Sequence, residues 1–210
     1  MATGRTPSLR LAGDPEADDL LSRDPLALVI GMVLDQQVPL ERAFTAPAVL
    51  AQRLGRELDA AAIAGMDPDR LAELFSRPPA LHRYPTSMAA RVQALCKVVA
   101  EEHDGDVTAV WTGAGDGRQV RARVQALPGF GEQKARIFVA LLGKQLGVTP
   151  RGWEEASAPY GEPGSHRSVA DIVDEASLAR VRQFKQAAKQ AARGIGVATP
   201  SSTAPASTQR

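Results

Sequence analysis

The residues with the clearest chemical potential lie in Leu127-Pro128-Gly129-Phe130-Gly131-Glu132-Gln133-Lys134-Ala135. Two glycines one residue apart, beside basic side chains, suit a polyanion better than a core. Gly129 and Gly131 can take positive φ and let successive backbone N–H groups converge on one point. A helix starting near Glu132 adds the positive end of its dipole. The chemistry predicted is a grip on phosphate, although an ordinary turn between two helices, with glycine at the first helix end, uses the same residues. Between Arg118 and Arg151 there are seven basic residues against one acid, Glu132, so the local charge agrees with an anionic partner. Two carboxylates stand beside other chemistry-bearing residues. Asp35 ends a long apolar run and precedes Gln36 and Gln37, and Glu154 lies in a loop with Trp153 and Tyr160.

These groups need elements to hold them. Ala135, Phe138, Val139 and Leu142 recur at i, i+3, i+4 and i+7, one buried helix face with Arg136 and Lys144 turned outward. Val120, Val124 and Leu127 carry the same spacing upstream, so residues 120–144 read as a helix, a tight turn and a second helix. The stretch Leu26 to Leu34 is apolar nearly all round, with Ser22 or Asp24 placed to cap it and Pro25 suited to its first turn. It predicts a helix buried on most sides, whose polar end at Asp35-Gln36-Gln37 emerges at a cleft. Thr86 or Ser87 is expected to cap a helix running to about Glu102, with Met88, Val92, Leu95, Cys96 and Val99 inside. Ser168 is expected to cap another, with Val169, Ile172 and Val173 inside. Ala176 to Ala192 forms a further helix, basic through Arg180, Arg182, Lys185 and Lys189. The segment from Gly147 to Ser168 reads as an ordered functional loop, because a floppy linker would not carry Trp and Tyr. No strand alternation of any length competes with these helices. The fold class predicted is all-α, a two-lobed helical bundle with a cleft between the lobes. The chain divides into an N-terminal arm (1–19), a helical domain (20–193) and a disordered tail (194–210) of Ser, Thr, Ala, Pro and Gly.

Composition removes other function classes. At 210 residues, 44% apolar and 23% charged, the chain is long enough for one good-sized core or two small lobes. A net charge of +1 supplies no global field, so any nucleic-acid footprint must be local. A single cysteine, Cys96, excludes an internal disulfide, a Cys-rich zinc site and a four-cysteine iron–sulfur cluster. The three histidines are scattered with no His-x-x-x-His pair, so neither a metal site nor a cofactor is expected. No stretch approaches a membrane span and no basic-then-apolar signal opens the chain, which makes a cytoplasmic protein the expectation; a monomer is expected as well.

Leu-Pro-Gly-x-Gly between two helices resembles the helix-hairpin-helix of the HhH-GPD base excision DNA repair glycosylase superfamily. The Asp24-Pro25-led helix ending in Leu34-Asp35-Gln36-Gln37-Val38-Pro39-Leu40 is similar to one in its 3-methyladenine glycosylase branch, and with the basic C-terminal helix the likeness covers most of residues 20–193. The resemblance implies a glycosylase-like fold whose hairpin binds double-stranded DNA, while a damaged nucleotide is flipped into the cleft and its N-glycosidic bond is broken. It points to Gln36, Gln37, Gly129, Phe130, Gly131, Gln133, Lys134 and Arg136 as DNA contacts, with Trp111, Trp153 and Tyr160 as candidate walls of a base pocket. In the superfamily an aspartate after the hairpin helix stabilises the oxocarbenium charge on the sugar and positions water. Carried forward from Pro128, that spacing lands on Arg151; aligned on Gly147, with three residues inserted, it lands on Glu154. Glu154 is therefore the first catalytic candidate and Asp35 the second. Superfamily lyases use a lysine two residues after the second glycine, where this chain has Gln133. Lys134 is one step on, about 100° round the helix, so the resemblance implies a monofunctional hydrolase rather than a Schiff-base lyase. The other reading is a catalytically inactive hairpin protein that binds damaged or structured DNA.

Overall fold

A computed structural model describes residues 8–195, which form ten α-helices and two short 3-10 turns, with no strand among the described residues. The first helices are α1 (Pro15–Arg23), α2 (Pro25–Leu34) and α3 (Leu40–Leu54). Asp24 both ends α1 and caps α2, accepting the Leu26 and Ala27 N–H groups. Every α2 residue from Leu26 to Leu34 is buried, so each large apolar side chain there contributes roughly 1.5–3 kcal/mol. Gly31 makes room for α3: a Cβ there would sit 2.8 Å from the Phe44 ring.

The first lobe wraps around this helix. It comprises α1, α3, α4 (Ala60–Ala64), α5 (Pro68–Ser76) and α6 (Pro85–Glu102), with α6 packed on both α4 and α5. The second lobe is the pair α7 (Gly117–Ala126) and α8 (Glu132–Leu146), the short α9 (Trp153–Ala156) and the 3-10 turn Val169–Asp171. The long α10 (Glu175–Ile195) follows. One continuous apolar core runs from Leu9 through both lobes to Val181.

Several boundaries differ from those expected. The arm predicted to run to residue 19 is structured well before it. Leu9 and Leu11 are buried, their N–H groups held by Ser22 Oγ at 3.0 Å and Asp18 Oδ1 at 2.8 Å, and α1 begins at Pro15. Neither Thr86 nor Ser87 caps α6. Pro85 takes its first position, where the missing N–H costs nothing, and Tyr84 stands at the cap without a side-chain bond. Ser168 caps only a 3-10 turn, through a reciprocal capping box with Asp171, and Val173 is exposed. Of the tail predicted from residue 194, the part beyond residue 195 lies outside the described residues.

Asp171 anchors the second lobe. Its carboxylate, 4% exposed, lies 2.6 Å from Lys144 Nζ and also accepts from Ser165 Oγ and from the N–H groups of Arg167 and Ser168. Replacing one partner strands the other as a buried, uncompensated charge. Asp171→Ala is expected to lose about 3–5 kcal/mol, measured by urea unfolding of variant and wild type.

Candidate functional site

The C-terminal end of α2 is where the two lobes meet, and its chemistry begins with backbone carbonyls. A helix end leaves its last C=O groups without intrahelical partners, and a buried end must find them elsewhere. Here Lys134 Nζ, from the first turn of α8, donates to the Val33 carbonyl at 3.0 Å, and Gln36 Nε2 donates to the same oxygen at 2.9 Å. The chain then turns sharply. The Gln36 N–H closes onto the Leu34 carbonyl at 2.7 Å around Asp35, whose φ of −71° and ψ of 72° are those of an inverse γ-turn, and Gln37 follows at φ 55°.

His82 secures the turn from the first lobe. Its Nδ1 accepts the Tyr84 N–H at 3.0 Å, so Nε2 carries the proton and donates to the Gln36 carbonyl at 2.8 Å. Burial holds its pKa below the ordinary histidine value, which keeps the ring in this neutral form. Arg91 Nη1, on α6, donates to Gln36 Oε1 at 3.2 Å. Gln36 is thereby fixed at both ends, while Gln37 points into solvent.

Asp35 sits at the centre of this arrangement. Burial raises its pKa above the usual aspartate value, and the charges of Lys185 and Lys134 oppose that rise. Burial likewise lowers Lys134 from 10.5 to about 8, with Asp35 opposing and Arg91 adding to the effect. Each group is thus the other's partial compensation in a poorly solvated place. Such a carboxylate, poised nearer neutrality than a solvated one, suits proton transfer.

The hairpin abuts the same place. Gly129 has φ 91°, and a Cβ on it would lie 3.0 Å from Val33 and 3.2 Å from the Arg91 side chain, so this glycine is what lets the hairpin close on α2 and α6. Gly131, by contrast, has φ −90°, and nothing lies within 4 Å of a Cβ there. Its role is to cap α8 without a side chain, leaving the first-turn amides of Glu132, Gln133 and Lys134 free of intrahelical partners.

The other predicted residues divide. Phe130 is not at a DNA-facing surface: it is buried edge-on against Phe138 at 5.6 Å, and its N–H bonds the Leu127 carbonyl. Arg136 is engaged by Glu132, one turn back at 2.5 Å, and by the Ala158 carbonyl. Gln133 is exposed, with its amide 2.8 Å from the Tyr160 hydroxyl. Trp111 is buried against Phe138 beneath the hairpin. Trp153 covers Gly143, where a Cβ would lie 2.3 Å from its ring. Since Gly143 is about 15 Å along α8 from Gln133, Trp111, Trp153 and Tyr160 do not converge on one pocket. Glu154, next to Trp153, is exposed, and its backbone packs against Gly161. A cavity of about 1050 Å³ lies elsewhere again, between residues 8–22 and the start of α10.

His82, Arg91 and Lys185 were missed by sequence reasoning. Each reaches the α2 end from a distant part of the chain, and no local pattern marks it. Among the described residues no group of three His, Cys, Asp or Glu side chains is placed to hold a metal ion, and no helix is long and apolar enough to cross a membrane.

A family model described as HhH-GPD superfamily base excision DNA repair protein matches residues 30–196. The chain therefore belongs to the HhH-GPD superfamily of base excision DNA repair proteins. Neither a curated protein nor a solved structure matches it.

Two outcomes check this geometry. Gly129→Ala is expected to cost about 1–3 kcal/mol, from strain at positive φ and crowding of Val33, while Gly131→Ala costs about 1 kcal/mol or less as a cap change; thermal unfolding followed by circular dichroism separates them. Lys134 titrates near 8 when folded and near 10.5 when unfolded, so between those values the unfolded chain binds more protons and stability rises with pH. Against Lys134→Met, the wild type should gain stability from about pH 8 to 10.5 and show a flat difference below pH 8, read from urea unfolding at fixed pH.

Proposed function

We propose that this base excision repair protein is a monofunctional DNA glycosylase acting on a damaged base in duplex DNA, with Asp35 rather than Glu154 as its working carboxylate. The observation that carries this reading is Asp35 itself: a half-buried carboxylate beside Lys134, at the point where hairpin, α2 and α6 meet.

The hairpin amides and basic flanks hold the phosphate backbone, and the Gln36-Gln37 turn faces the duplex near the gap left by an extruded nucleotide. As the C1′–N bond lengthens, its electron pair leaves with the base and positive charge develops on the sugar. The Asp35 carboxylate stabilises that charge and takes a proton from the water that attacks C1′. Lys134 and Lys185 favour the ionised form of Asp35 between turnovers. Lys134 is turned onto the Val33 carbonyl, which supports hydrolysis rather than amine attack on the sugar.

One observation favours a second reading, a protein that binds damaged DNA without cutting it. The position reached by superfamily spacing is Arg151, which cannot act as a carboxylate, and its backbone carbonyl serves to hold the Gly117 N–H at 2.9 Å.

Duplexes carrying single alkylated, deaminated or oxidised bases, incubated with the protein and then cleaved with alkali, test both. Base release is expected, falling by about 10²–10⁴-fold in Asp35→Asn and within about twofold of wild type in Glu154→Gln. The reverse pattern would transfer the role to Glu154. Retained salt-sensitive binding with no product on any lesion would leave the non-catalytic reading.

A further inference from the structure

The C-terminal half of α10 buries none of its described side chains. Ser177 and Val181 pack into the body, but from Arg182 to Ala191 every residue is exposed. From Ala176 to the end of the chain there is no acidic residue. Arg182, Lys185 and Lys189 fall at i, i+3 and i+7 and so share one side of the helix, a run of about 10 Å. The row starts at the candidate site: Arg182 pairs with Glu41 at the beginning of α3, and the charge of Lys185 reaches Asp35.

We propose that this half of α10 is a second DNA-contact arm, which lies along the phosphate backbone beside the nucleotide presented to Asp35 and sets affinity without reading sequence. The inference rests on the DNA reading above. Charge identifies the occupant, because duplex DNA carries one negative charge per roughly 1.7 Å of axis, so a basic row of this length meets several phosphates. The helix is less suited to an anionic membrane. Its apolar side offers alanines and Phe184, which lies under the Arg167 guanidinium at 5.7 Å, and that is little area to bury in a bilayer.

The test is fluorescence anisotropy of the full chain with a labelled 30-mer duplex across a sodium chloride series. Each phosphate contact contributes about −0.9 to the slope of log K against log salt. Lys185→Gln/Lys189→Gln is therefore expected to reduce the slope by about 2 and to weaken binding at low salt at least tenfold, while Lys185→Arg/Lys189→Arg restores both. Circular dichroism establishes that the exposed glutamines leave the helix content unchanged. If wild type binds duplex DNA and the glutamine variant matches it in slope and affinity, the arm is refuted while the DNA reading stands. If wild type shows no salt-dependent duplex binding, the DNA reading fails and the arm with it. Flotation with anionic phospholipid vesicles covers the rival partner: loss of vesicle binding in the glutamine variant, with duplex binding unchanged, would overturn the proposal in favour of a membrane surface.

Discussion

An apolar helix that is buried on all sides has to terminate somewhere, and its last carbonyls cannot be left dry. That constraint shapes the centre of this protein. α2 satisfies its end with Lys134 from the second lobe, with Gln36 folded back on itself, and with His82 holding the Gln36 carbonyl from the first lobe. Lys134 and His82 therefore join the lobes at one point, and the γ-turn that ends the helix leaves Asp35 at their junction. The perturbed Asp35 and Lys134 follow from the same arrangement, since both are held where water is scarce.

The hairpin is tied to this centre by an absence. Gly129 has no side chain, so the turn closes on Val33 and Arg91. The loop after α8 is fixed at the opposite end by similar means. The Trp153 ring occupies the space a Gly143 side chain would need, and its backbone presses on Gly117 at 2.5 Å from a Cβ position. Further on, Lys144 and Asp171 lock the second lobe from within. Trp153 is thus a structural neighbour of the α8 C-terminus, whereas the hairpin amides and the α2 terminus lie at its other end.

This geography explains which site residues were legible. Gly129, Lys134, Gln36 and Asp35 stood out because a Gly-rich turn and the polar end of an apolar run are local patterns. Phe130 and Trp111 also stood out, but sequence does not tell a ring that faces a ligand from one that faces Phe138. Glu154 was favoured over Asp35 by counting along the chain from the hairpin. Counting says nothing of direction in space.

The amino-acid sequence by itself determined the helical class, the extent of α2 and the presence of a hairpin between two amphipathic helices, because each depends on contacts within a few residues. Only the tertiary structure decided that Leu9 and Leu11 belong to the core, that His82 and Arg91 meet Gln36, and that the charge of Lys185 reaches Asp35. The His82 and Arg91 bonds join residues 46 and 55 positions apart, where burial, not local propensity, selects the partner.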